Sequence, residues 1–240
     1  LIVDGHFGTL GLEDVDLQLI RNQFQKFSNE RIAPFAQSWH KADSLIPDEV
    51  IAEMAELGVF GLTVPQKWGG SESGKTAMCL VTEELCRGYL GVGSLATRTE
   101  IAADLIREHG TESQKQRWLY GLAKGEVLPA AMFTEPDVGS DLASVSTRAS
   151  RSGDVYKING AKTWSTHAAR ADLMTMLVRT DPASSRQRGI SVLLVPMDTP
   201  GIAVREIPSV VGERYFHEVF FSDVRVPQTT RLGPENEGWQ

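Results

Sequence analysis

Two short segments carry the residue types that a ligand site needs. The first is Ala131-Met132-Phe133-Thr134-Glu135-Pro136-Asp137-Val138-Gly139-Ser140-Asp141, which leaves an apolar stretch and enters a turn broken by proline and glycine. Such a turn exposes backbone N–H groups and hydroxyls, while the strand before it holds them in place. Thr134 and Ser140 supply hydroxyls, and Gly139 lets the backbone approach a ligand closely. A tight turn capped by Asp and Ser would use the same residues. The second segment is Asn159-Gly160-Ala161-Lys162-Thr163-Trp164-Ser165-Thr166-His167. Asn-Gly is a strong signal for a two-residue hairpin turn. Trp164 then precedes Ser165 and Thr166 at a strand end. A flat aromatic ligand needs one large ring as a wall and a hydroxyl or amide for a ring nitrogen. A core tryptophan on a hairpin would look the same.

His167 has the right chemistry to exchange a proton near neutral pH. No carboxylate partner for it can be read from the sequence, so a satisfied structural histidine is expected. His6, His40, His109 and His217 are scattered, and no pair has metal-ligand spacing. There is no Walker loop and no dinucleotide GxGxxG. No Ser–His–Asp arrangement is legible. The residues by themselves therefore reach a planar-ligand site and not a reaction.

The elements that must position these segments fall into two kinds. In residues 13–33, Leu17, Ile20, Phe24, Phe27 and Ile32 recur near a 3.6-residue period, and Pro34 is expected to end that helix. A second helix should start at Pro47, with Asp48 and Glu49 at the positive end of its dipole, Val50, Ile51, Met54 and Leu57 inward, and Gly58 as a left-handed cap. Residues 75–87 and 95–108 read as two more helices. Thr111 and Gln114 form a capping box for a helix through Leu122. The period then changes. Residues 127–133, 155–158, 173–178, 190–195, 202–207 and 218–221 are short apolar or alternating runs divided by Gly, Pro, Asp and Ser. The expected fold is α+β: an all-α domain over residues 1–128, then an antiparallel β-barrel or sandwich over residues 129–240.

Composition sets outer limits. The chain has 240 residues, 41% of them apolar, and a net charge of -7, so a core can be buried and broad contact with nucleic acid is disfavoured. No apolar run approaches the ~20 residues that cross a bilayer. Residues 1–11 do not read as a signal peptide. Cys79 and Cys86, seven residues apart on one helix, are too far apart for a disulfide and are expected to be buried thiols in a reducing compartment such as a bacterial cytoplasm.

Four segments in order resemble the acyl-CoA dehydrogenase family. They are Gly110-Thr111-Glu112-Ser113-Gln114-Lys115, Phe133-Thr134-Glu135-Pro136 through Gly139-Ser140-Asp141, Asn159-Gly160-Ala161-Lys162-Thr163-Trp164-Ser165-Thr166, and Phe221-Ser222-Asp223-Val224-Arg225-Val226-Pro227. The first half also resembles methylsuccinyl-CoA dehydrogenases. The resemblance implies FAD, an acyl-CoA substrate desaturated at its α,β bond, an electron-transfer flavoprotein as acceptor, and a homodimer or homotetramer when complete. It places Ala131, Met132, Phe133, Thr134, Gly139, Ser140, Trp164, Ser165 and Thr166 against the flavin. It gives Ser140, Thr97 and Arg98 to the substrate, and the polar Thr97–Glu100 stretch then implies a short, branched or carboxylated acyl group. An Arg98–Glu100 pair on a solvated face is the competing reading.

In that family the glutamate that takes the α proton comes from a C-terminal helical bundle. This chain ends at Glu237-Gly238-Trp239-Gln240, where that bundle would begin. The expectation is that the bundle is absent, that no catalytic base and no metal site lie in residues 1–240, and that the chain alone is inactive. Glu49, Glu83, Glu100 and Glu135 are not candidates for the base. An acyl-CoA oxidase or flavin monooxygenase on the same fold, or a non-catalytic binding member of the family, would carry the same segments.

Overall fold

The computed structural model describes residues 15–208, 210 and 216–239. The N-terminal stretch 1–11, read above for a signal peptide, lies outside them. Helix α1 (Val15–Phe27) buries Phe24 and Phe27, as its periodicity predicts. Pro34 does not end a helix. A π turn (Ser28–Ile32) follows α1, and α2 (Ala33–Lys41) begins with Pro34 in its first turn, where a missing N–H leaves no bond unmade. Helix α3 (Asp48–Glu56) packs Val50, Ile51 and Met54 inward and is followed by Gly58 at φ +76°, the left-handed position expected.

Helices α4 (Gly74–Gly88) and α5 (Leu90–His109) pack side by side. Helix α5 starts earlier than its apolar pattern suggests, because its first turns are chosen for close approach. A Cβ added to Gly93 would lie 2.2 Å from Sγ of Cys86. Cys79 is exposed and Cys86 half-buried, so they are not a pair of core thiols. The inward face of α4 is Ala77, Leu80, Val81, Glu84 and Leu85, and both cysteines flank it. Helix α6 (Glu112–Ala123) has the capping box: Thr111 Oγ1 accepts from Gln114 N at 3.2 Å, and Gln114 Oε1 accepts from Thr111 N at 2.9 Å. The Gln114 amide also donates to the carbonyls of Thr229 and Arg231, tying this cap to the β region.

The second half holds eight described strands, not six: β1 (Pro129–Met132), β2 (Arg148–Ser152), β3 (Val155–Thr166), β4 (Leu173–Arg179), β5 (Ile190–Pro196), β6 (Ile202–Ile207), β7 (Phe216–Pro227) and β8 (Arg231–Leu232). They form one sheet in the order β6-β7-β3-β2-β4-β5-β8, with β1 beside β4. Pairing is mostly antiparallel, but β1 and β2 each meet β4 in parallel. Strand β2 reads RASRS and buries only Ala149, so no apolar alternation marked it. The largest correction concerns Asn159-Gly160, which is not a hairpin turn. It lies inside β3, at a register shift against β7. Asn159 instead reaches across to Asp223, accepting from its N–H at 2.9 Å. Gly160 sits at φ +144°, where a Cβ would meet Thr147 Oγ1 at 2.7 Å.

Strand β4 shows why a strand can be apolar throughout. Met174, Met176 and Val178 point into a core shared with Tyr156, Ile158, Val219 and Phe221. Leu173 and Leu177 point the other way, into a core shared with Ala102, Ile106, Leu119 and Leu122 of α5 and α6. One face thus packs against residues of β3 and β7, and the other seats the helices.

Candidate functional site

The two segments picked out in the sequence are bolted together beneath the surface. Thr163 N donates to Thr134 O at 3.0 Å. Lys162 Nζ donates to Phe133 O at 3.1 Å and to Glu135 Oε1 at 2.8 Å. Glu135 also accepts from Ser146 N, Ser146 Oγ and Thr147 N. Burial disfavours its charge, but the Lys162 charge and hydrogen bond, with those of Thr147 and Ser146, hold its carboxyl at about 2. Burial pushes the Lys162 ammonium down to about 8, against the opposing pull of Glu135. Glu135 is therefore occupied as a structural anion. The sequence offered one signal for this pair: a lysine between Ala161 and Thr163, inside the second of the two polar segments.

The anchored strand turns outward next. Its register against β7 shifts between Lys162 and Ser165, and Trp164 takes φ +55°. That extra residue throws the indole to the surface, where it is 57% exposed, so Trp164 is not a core residue. Among the described residues its one ring partner is Phe216, edge-on at 5.7 Å. A cavity of about 390 Å³ opens beside it, lined by Ala131, Trp164 and Thr166 from the sheet and by Thr82, Cys86, Leu90, Ser94, Thr97, Arg98 and Ile101 from α4 and α5. Ala131, Trp164, Thr166, Thr97 and Arg98, far apart in the chain, thus meet at one opening. Sequence reasoning missed Thr82, Cys86, Leu90, Ser94 and Ile101, because nothing local says which turn of a helix will face a cavity.

The other expected site residues sit around this opening rather than in it. Met132 is fully buried in the sheet core. Phe133 packs against the core under the helices. Ser165 is 2% exposed, and its Oγ has no hydrogen-bond partner. Gly139 and Ser140 are exposed in the turn after β1. The hydroxyls of Thr134 and Thr166 have no partner among the described residues.

Arg98 is not paired with Glu100. Glu100 faces Lys75 at 3.4 Å, while Arg98 is half-buried and its Nη1 donates to Ser94 O at 2.6 Å. Burial lowers its pKa. His167 sits at φ +59°, its Nε2 3.5 Å from Ser94 Oγ. Burial first, then the charges of Arg98 and Arg170, push its pKa down to about 4, so the ring is neutral at pH 7. Among the described residues no Asp or Glu lines the Trp164 cavity. Glu83 lies 3.9 Å from Arg21, and Glu135 is held by Lys162. Among the described residues no group of three or more His, Cys, Asp and Glu could hold a metal ion.

The sequence matches two family models. Residues 14–126 match the acyl-CoA dehydrogenase N-terminal domain, and residues 130–224 match the middle domain. A (2S)-methylsuccinyl-CoA dehydrogenase of Cereibacter sphaeroides is 47% identical over all of this chain, which covers 46% of that protein. A glutaryl-CoA dehydrogenase of Desulfococcus multivorans is 32% identical over 93% of this chain and 58% of its own length. Among solved structures, a glutaryl-CoA dehydrogenase from Mycobacterium smegmatis in complex with FADH2 superposes with a TM-score of 0.85 at 32% identity, covering 96% of this chain and 58% of that one. The chain thus spans about half to three-fifths of the length of these relatives.

Proposed function

The chain belongs to the acyl-CoA dehydrogenase family, of which it carries the N-terminal and middle domains, and we propose that it holds FAD and the acyl end of an acyl-CoA in the Trp164 cavity. In this reading residues 1–128 form the helical domain, which supplies the acyl side, and residues 129–240 form the flavin-binding domain. The observation that carries it is the meeting of Ala131, Trp164 and Thr166 with Thr97 and Arg98 around one opening.

The residues present fit a flavin. Trp164 offers a free aromatic face, which suits the wall of a planar ring. Thr134 and Thr166 offer unused hydroxyls, and Ser165 has a buried Oγ with no partner. Met132 and Phe133 have their side chains committed to cores, so they would meet the cofactor through backbone atoms. Gly139 has no atom within 4 Å of where a Cβ would stand, which leaves its backbone open to a ligand. Ser140, exposed on the same turn, would reach both cofactor and substrate.

When bound, FAD would take the β hydride of the thioester as the α proton leaves. The work of this chain is then to orient and to exclude water. The Lys162–Glu135 pair fixes the two segments that carry Thr134 and Thr166, so their hydroxyls need no reorganisation on binding. The indole on one side and helices α4 and α5 on the other line one cavity of about 390 Å³. No carboxylate among the described residues lines that cavity, so the proposed proton acceptor lies outside its lining residues. Electrons would pass to an electron-transfer flavoprotein, and the complete protein would be a homodimer or homotetramer, as in the family.

The test is a visible absorption spectrum of the purified full-length protein after FAD is added and excess removed by gel filtration. It is repeated anaerobically with mixed acyl-CoAs. A retained flavin spectrum that bleaches supports the reading; a protein that retains no flavin overturns it.

A further inference from the structure

A cavity of about 810 Å³ lies at the opposite end of β3 and β7 from Trp164. Thr166 pairs with Phe216 at one end of those strands and Val155 with Pro227 at the other, roughly 30 Å away along them. The second cavity is walled by α6, the end of β5 and the segment from Arg225 to Pro234. Its charge is unlike that of the chain. Acidic residues outnumber Lys and Arg by 31 to 24 overall. Among the described residues this lining holds Arg117, Arg225 and Arg231, and no Asp or Glu. Arg117 lies over the Trp118 ring at 4.6 Å, and neither it nor Arg225 has a hydrogen bond or ion pair with another described residue. Asp223, two residues before Arg225, is taken by Lys157 at 2.9 Å. Arg231 is partly offset by Glu235 at 3.6 Å, and it donates to Gly233 O and Tyr156 Oη, which fix its fork in place.

Three guanidinium groups around one cavity repel one another, and an anion between them turns that repulsion into attraction. One carboxylate would answer one fork; three forks match the charge and the oxygens of a diphosphate. The rest of the wall is largely apolar, with Trp118, Leu194 and Val226, which suits a flat ring. Ser113 and Thr229 add hydroxyls that have no partner among the described residues. The volume is within the range of small-molecule sites. The site is also built without a ligand, since the Gln114 amide holds α6 to the carbonyls of Thr229 and Arg231. We propose that this cavity binds a nucleoside diphosphate, with the phosphates between Arg117, Arg225 and Arg231 and the base over Trp118, Leu194 and Val226. The proposal does not rest on the flavin reading of the Trp164 cavity.

The experiment titrates ADP, adenosine and inorganic pyrophosphate by calorimetry into the full-length protein, first exposed to FAD and freed of excess by gel filtration. The wild type, Arg117→Glu, Arg225→Glu and the double variant are compared. Both arginines are exposed, so the variants should fold, and their urea midpoints check this. The expected result is that wild type binds ADP, that each single variant weakens it roughly 10-fold, and that the double variant weakens it roughly 100-fold. Adenosine and pyrophosphate should each bind at least about 10-fold more weakly than ADP, since each fills half of the site. ADP binding that is unchanged in both single variants overturns the proposal, because the nucleotide then sits elsewhere. Wild type that binds no ADP overturns it, as does adenosine that binds as tightly as ADP, even if no variant folds. Pyrophosphate that binds as tightly as ADP overturns it in favour of a simple anion site.

Discussion

Lys162 Nζ and Glu135 Oε1 lie 2.8 Å apart, with side chains 0% and 2% exposed, and join the two segments on which the candidate flavin site is built. The pair fixes Phe133 and Thr134 against Thr163, one residue before the exposed Trp164. Rigidity at the site is thus a property of a buried ion pair and not of the loops themselves.

Lys162→Met should be strongly destabilising. It leaves the Glu135 carboxylate buried with its N–H and hydroxyl donors but no cation, and breaking a buried pair on one side costs roughly 3–5 kcal/mol. Adding Glu135→Gln removes the stranded charge and should recover about half of that loss. Urea unfolding midpoints at pH 7 measure both. A single-mutant loss below about 1 kcal/mol would show that the pair is not what holds the segments.

The same carboxylate predicts an acid sensitivity with a definite sign. The Glu135 pKa is lowered from 4.5 to about 2 in the folded state. The unfolded chain therefore binds the extra proton first as pH falls. The stabilisation is fully present above about pH 4.5 and is lost progressively toward pH 2, amounting to on the order of 3 kcal/mol. Urea unfolding at pH 5, 4 and 3 should show the wild type converging on Glu135→Gln; parallel profiles would refute the assignment.

Gly160→Ala tests the bulge that replaces the expected hairpin. At φ +144°, with a Cβ 2.7 Å from Thr147 Oγ1 and 2.8 Å from Thr147 Cα, alanine has neither the conformation nor the room. A loss of roughly 2–3 kcal/mol is expected in thermal or urea unfolding. A neutral substitution would mean that β3 does not run through this position as described.

Trp164→Ala separates binding from folding. The indole is 57% exposed and has one edge-on ring contact, so its removal should lower stability by about 1 kcal/mol or less. FAD retention, followed by the absorbance of the gel-filtered protein, should fall at least about tenfold if the ring is the flavin wall. Unchanged retention would remove Trp164 from the site.

How much of this was legible in the chain depends on the range of the interactions involved. The helices of the first half, the Thr111–Gln114 capping box and the left-handed Gly58 follow from neighbours three or four residues apart. Strand β6 was readable to the residue from its own short run between Gly201 and Pro208. Local signals failed where a distant partner overruled them. Pro34 is a local exception: it falls in the first turn of α2, directly after the π turn, where its missing N–H costs no bond. Asn159-Gly160 stays in a strand because β7 supplies Asp223 and a bulge to pair with it. Strand β2 has no alternating pattern of its own; its pairing with β3 and the single buried Ala149 set its place.

The sequence by itself determined the change from helical to strand period near residue 125, the two polar segments, and the family they resemble, because each rests on residue types and short spacings. Only the tertiary structure decided that Lys162 neutralises Glu135, that Trp164 is turned outward, and that Arg98 lies beside it with no carboxylate partner among the described residues. Those relationships join residues 27 to 66 positions apart, and their sign depends on burial. Whether a charge is paired and dry, or open to a ligand, is set by which faces of α5, β1 and β3 come together, and no local pattern encodes that.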